Sequence, residues 1–148
     1  MNPLPIRERI DSVENVRQWT GSIPLKYVYT AGVAGELFFE WLKKGKIEAS
    51  RSDRCRISYL PPRIYCLECF GEVHSFIPIH DEGRVAAFTS PGDGGHGYVY
   101  VTYPKVKGGI LHWVVSGKPR IGARASVVFK PERERTGSIL DILGYKIL

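Results

Sequence analysis

The sequence predicts a mainly β chain led by helices, and three observations carry that expectation. From Gly71 onward, apolar and polar residues alternate in short runs separated by Gly- and Asp-bearing turns. Ahead of those runs, "AGVAGELFFEWLKKGK" has a helical period instead. Between the two lies a short segment, "SDRCRISYLPPRIYCLEC", that holds all three cysteines of the chain. The expected organisation is a helical arm over 1–48, a ribbon with a degenerate first knuckle over 49–70, and an OB-type barrel over 71–148.

In the arm, "SVENVRQW" opens on Ser12, a suitable N-cap, sets Val13, Val16 and Trp19 on one side, and stops at Gly21. A proline-bearing connection then leads to the clearest helix. Its stripe is Val33, Leu37, Phe38, Trp41 and Leu42, and it ends among Lys43, Lys44 and Lys46, where cations suit the helix dipole. The stripe is large for a helix with so little chain around it. One reading packs it internally; the other makes Leu37, Phe38 and Trp41 a docking face for another protein.

The middle segment folds back around Pro61 and Pro62 and is too short to bury a core, so it needs a staple. Cys66 and Cys69 form a CxxC pair, a spacing that lets two thiolates converge on a tetrahedral metal. Cys55 stands upstream where a partner knuckle would be, but the position of a fourth thiolate is Ser52. A serine hydroxyl is a poor zinc ligand because it holds its proton far more tightly than a thiol. Three outcomes stay open: a three-cysteine metal site completed by Asp53, His74 or water, a metal-free knuckle, or unrelated buried cysteines.

In the barrel region the strand runs are "EVHSFIPI", "RVAAFTS", "GYVYVTY", "ILHWVVSG", "ARASVVFKP" and "SILDILGYKIL". The segments "DEG", "SPGDGGHG" and "KVKGG" read as reversals between them. Short strands at this spacing, with no helical period among them, make a small barrel.

The net charge of +6 favours a phosphate-bearing partner, either nucleic acid or a phosphorylated small molecule, with a uniformly solvated basic surface as the alternative. The basic residues form loose groups: Lys43 to Lys46, Arg51 to Arg63, Lys105 with Lys107, and Lys118 to Arg124. Several stand beside Tyr59, Tyr65, Tyr103 and Trp113, a mixture that can hold phosphates and stack a base. Arg63, Lys105, Lys107, Trp113, Lys118 and Arg120 are the candidate ligand contacts, whether for a nucleotide-bearing coenzyme or for a single strand of nucleic acid. The four histidines, His74, His80, His96 and His112, follow no motif, and there is no GxSxG, HExxH or phosphate-binding GxxxxGK followed by Ser or Thr. The expectation is therefore a noncatalytic protein. No apolar run approaches bilayer length, and "MNPLPIRERID" has no apolar signal-peptide core, which makes the expected location cytoplasmic with no membrane partner.

The order of helix, ribbon and barrel resembles the acyl-CoA-associated zinc-ribbon and OB-fold family, once catalogued only as a domain of unknown function. The stretches that carry the resemblance are "KYVYTAGVAGELFFEWLKKGKIEAS", "YLPPRIYCLEC", "GRVAAFTS" and "IGARASVVFK". It implies a rubredoxin-like ribbon in which Cys55, Cys66 and Cys69 match three of four zinc ligands, with Ser52 as the departure. It also implies a noncatalytic partner of thiolase-fold enzymes, bridging to a hydroxymethylglutaryl-CoA synthase in some members and helping to hold coenzyme A or acyl-CoA in lipid or isoprenoid-precursor metabolism. The rival is an OB-fold protein that binds single-stranded nucleic acid.

Overall fold

Leu42 and Phe38, one turn apart on a single helix, fix how the arm meets the rest of the chain. In the computed structural model, which describes residues 25–26, 28–80, 82–90 and 97–148, this helix is α1 (Gly32–Lys43). Both side chains are buried against the barrel, and Trp41 lies half-buried with its ring 5.0 Å from that of Phe76. The helix ends where Gly45 takes a positive φ of 70°, and the amides of Gly45 and Lys46 bond back to the carbonyls of Leu42 and Trp41. The helix expected over Ser12–Trp19 lies outside the described residues, as does His96.

Two strands flank the cysteine turn. β1 (Glu48–Ser52) pairs antiparallel with β2 (Ile57–Leu60), with Ser50 opposite Tyr59. On its other edge β1 takes β3 (Ser75–Pro78), with Ala49 opposite Ile77, so a strand beyond the expected ribbon returns to complete the ribbon's sheet.

The remaining strands are β4 (Gly83–Phe88), β5 (Tyr98–Thr102), β6 (Val106–Ser116), β7 (Arg124–Phe129) and β8 (Ile142–Ile147). They close as β4-β5-β6-β8-β7 and back to β4, the five-stranded barrel that the alternation anticipates. The period of two is read directly: Val99, Val101, Ile110 and Val114 are buried inside, while Tyr98, Leu111, Trp113 and Val115 face out.

One sequence expectation is corrected. "KVKGG" is not a reversal as a whole, because β6 begins at Val106 and the chain turns one step earlier, through Pro104 and Lys105. Its first residues pair parallel with β2, Leu60 opposite Gly108, before the strand enters the barrel. Gly108 and Gly109 are there for close approach: a Cβ on the first would strike the Leu60 carbonyl, and on the second the Val101 carbonyl. β6 thus belongs to both the ribbon sheet and the barrel. The last run is also subdivided, since Ser138 caps a short 3-10 turn over Ile139–Asp141 before β8 begins.

Candidate functional site

The cysteine group is built by the β1–β2 turn and by a second knuckle that closes tightly on itself. The Cys66 amide bonds to the Gly71 carbonyl and the Phe70 amide to the Cys66 carbonyl, each at 2.9 Å. Below the knuckle, Tyr65 bridges to Glu72 and the Val73 amide reaches Ile64 at 2.8 Å. The result brings the Cys55, Cys66 and Cys69 sulfurs within 4.8 Å of one another. The edge of a zinc–thiolate tetrahedron is about 3.8 Å, so a small contraction suffices and the three cysteines can hold a metal ion such as zinc.

Ser52 is buried beside the cluster, and its hydroxyl accepts from the Cys55 amide at 3.3 Å. It also hydrogen-bonds Cys66. That contact, followed by the Tyr59 hydroxyl at 3.4 Å, outweighs burial and lowers the Cys66 thiol to about 5, with the amides of Cys69 and Glu68 adding to it. Cys55 goes the other way, to about 11, through its hydrogen bond to Cys69, its burial and the neighbouring Cys66. Cys66 thus gives up its proton more readily than Cys55, and a divalent metal bound between them would favour the thiolate form of both. Asp53 and His74, weighed from sequence as completing ligands, are not in the group. Asp53 accepts from the Ser75 hydroxyl, and His74 pairs with Glu72 at 3.1 Å on the surface.

The candidate ligand contacts do not converge on one place. Arg63 sits at the ribbon, where its amide bonds to the Ser50 hydroxyl at 2.8 Å. Lys107 pairs with Glu68 at 2.6 Å. Trp113 stacks on Tyr98 with centroids 3.9 Å apart on the outer face of β5 and β6. Lys118 and Arg120 lie in the connection from β6 to β7. Lys105 lines a hollow together with Arg51 and Arg56, two residues whose convergence with it was hidden by their distance in sequence.

The docking stripe is corrected in part. Phe38 is 5% exposed inside the barrel core and is closed to a partner. Leu37 is half-buried and lines a hollow of about 370 Å³ with Val33, Ile64, Tyr65 and Phe76. Of the large apolar side chains lining this hollow and the one that shares Val33, Ile64 and Tyr65 with it, Val33, Ile64, Tyr65 and Leu67 reach solvent, and Phe70 of the cysteine knuckle is exposed as well.

Of the histidines, His112 turns inward on β6. Its Nε2 lies 3.3 Å from the Ile139 carbonyl, its Nδ1 has no partner among the described residues, and burial lowers its affinity for a proton. His80 lines a hollow of about 540 Å³ between the ribbon sheet and β7. Among the described residues no helix is long and apolar enough to cross a membrane.

No family model and no curated protein matches the sequence. Solved structures do. The chain is similar to a protein of unknown function from the DUF35 family of Sulfolobus solfataricus, with a TM-score of 0.64 and 26% identity, covering 79% of this chain and 87% of that one. It is also similar to the Ltp2–ChsH2(DUF35) aldolase, with a TM-score of 0.55 and 15% identity over 75% of this chain and 91% of that one, a likeness of fold alone.

Proposed function

We propose that this protein is a noncatalytic accessory subunit that binds coenzyme A or its thioesters beside a thiolase-fold enzyme, with a structural zinc in its ribbon. The observation that carries the reading is the fold: a ribbon, closed barrel and leading helix shared with DUF35 proteins, one of which is paired with Ltp2 in an aldolase. The exposed apolar side of the ribbon, from Val33 through Tyr65 and Leu67 to Phe70, is the surface on which a partner enzyme would sit. A hydroxymethylglutaryl-CoA synthase is a second candidate partner.

Cys55, Cys66 and Cys69 would hold the zinc, whose part is to neutralise three thiolates and staple the turn to the knuckle. Ser52 supplies a hydrogen bond where a fourth thiolate would supply charge.

One observation favours the rival. The stacked Tyr98–Trp113 pair lies on the barrel face where OB folds take single strands. Titration calorimetry at physiological salt separates the two: coenzyme A should bind measurably and a single-stranded oligonucleotide only weakly. Submicromolar oligonucleotide binding that Trp113→Ala abolishes, with no heat from coenzyme A, would reverse the ranking.

A further inference from the structure

Where β1, β2 and β3 meet the turn from β5 to β6, the chain encloses a hollow of about 240 Å³ lined by Arg51, Arg56, Ser58, Tyr103 and Lys105 over apolar walls. Its three cations come from three separate places: a strand, the β1–β2 turn, and the turn ahead of β6. Register brings them together. Arg51 stands opposite Ser58 across the antiparallel pair, and Ser58 stands beside Val106 across the parallel one, so the turn carrying Lys105 ends at Arg51's side of the sheet.

Two features mark this hollow as more than a basic surface. Arg56 and Lys105 both take positive φ, 55° and 60°, and with Phe70 they are the three non-glycine residues among those described that do so. That conformation is unfavourable for a residue with a Cβ, and here it is used twice on the rim of one cavity. The second feature is charge. Among the described residues no carboxylate lines the hollow and none of the three side chains has an ion-pair or hydrogen-bond partner, whereas Lys107 has Glu68 and Arg124 has Glu82. Three converging cations with no counter-charge repel one another, and an anion between them removes that repulsion. Ser58, 4% exposed, adds a hydroxyl to the lining.

The hollow shares a wall with the larger one of about 540 Å³, because Pro78, Ile79 and Tyr103 line both. Beyond that wall the larger hollow sets Ile47, Val127 and Phe129 among Lys46, Glu48, His80 and Glu82, a mixed lining around a space of a size that takes small ligands.

The geometry points to a phosphate-binding site at Arg51, Arg56 and Lys105, with the uncharged arm of the same ligand lying over Pro78, Ile79 and Tyr103. That the arm is the pantetheine of coenzyme A rests on the function proposed above; the phosphate site does not.

The test uses the full chain, inorganic pyrophosphate, coenzyme A and phosphate-free pantetheine, each titrated into the wild type and into the triple variant R51Q/R56Q/K105Q. Pyrophosphate and coenzyme A should each bind the wild type and lose at least 100-fold in the variant, while pantetheine does not distinguish the two proteins. The variant's melting temperature should hold or rise, since it removes mutual repulsion. Coenzyme A binding that survives in the variant would overturn the site and leave the coenzyme function standing. Loss of pyrophosphate binding in the variant, with coenzyme A binding no tighter than pyrophosphate, would uphold the phosphate site and remove the coenzyme. Absence of binding by both phosphorylated ligands to the wild type at millimolar concentration would overturn the site outright.

Discussion

The barrel and the ribbon share strand β6 but differ in what holds them. The barrel's cluster contains fourteen buried side chains, from Phe38 and Leu42 of the helix to Tyr145 and Ile147 of the last strand. The ribbon's own cluster contains three, Tyr59, Cys66 and Val73, and one of those is a thiol. Burial of apolar surface is enough to account for the first. For the second it is not, and the zinc proposed at the three close sulfurs would supply what burial lacks. Two neighbouring parts of one sheet should therefore answer to different perturbations, removal of the proposed metal on one side and core truncation on the other.

Removal of a sulfur should separate the two regions most. Cys66→Ser should reduce zinc from about one per chain to a trace, since binding in a small thiolate site is worth about 10 kcal/mol or more. Amide exchange should then accelerate at Tyr59 and Val73 while Val99 and Val101 stay protected. Metal-free wild-type protein whose melt is unchanged by chelator would show the knuckle to be held by packing alone.

Phe38→Ala attacks the other side. As a truncation in the barrel cluster it should cost about 3 to 5 kcal/mol in denaturant unfolding and leave zinc content unchanged. A loss of metal in this variant, or a native melt, would mean that the two regions are not distinguished as described.

Asp141 tests a polar element of the barrel. Its carboxylate is fully buried, which pushes it up, but the amides of Thr136, Gly137 and Ser138 and the Thr136 hydroxyl donate to it and hold it below its ordinary value of 3.8. A lowered folded value gives stability that is whole above 3.8 and is lost as the pH falls through the folded value. Asp141→Ala should cost about 1 to 3 kcal/mol at neutral pH by leaving donors unsatisfied. The gap from the wild type should close in acid; a gap constant down to the acid transition would contradict the charged cap.

The smallest expected effect is at Trp113. Trp113→Ala removes an exposed stack, so stability should change by no more than about 0.5 kcal/mol, and coenzyme binding should be unaltered because Lys105 lies elsewhere. A tenfold loss of coenzyme affinity would move the ligand to the barrel's outer face.

How much of this the sequence disclosed follows from which interactions are local. Alternation along "GYVYVTY" and "ILHWVVSG" announces the inward Val99, Val101, Ile110 and Val114, because the strand period is written in adjacent residues. The CxxC spacing is likewise local. What escaped was long-range or ambiguous. Gly108 and Gly109 look like a turn in sequence, but they serve close backbone approaches visible only once β2 and β5 lie on either side of β6. The helix stripe is one pattern whether a side chain meets its own barrel or a partner, and only the fold separates buried Phe38 from exposed Val33. Arg51, Arg56 and Lys105 meet through a parallel strand pairing that no local pattern announces.

The most direct measurement mixes the zinc-loaded protein with a purified thiolase-fold enzyme from the same organism and reads the mass by light scattering after size exclusion. The expected result is a stable complex with the wild type, its loss with Leu67→Asp or Phe70→Asp, and an unchanged barrel melt in both variants, because these side chains lie on the exposed ribbon face. Wild-type protein that elutes alone at tens of micromolar beside every thiolase-fold enzyme of that organism would contradict the accessory role.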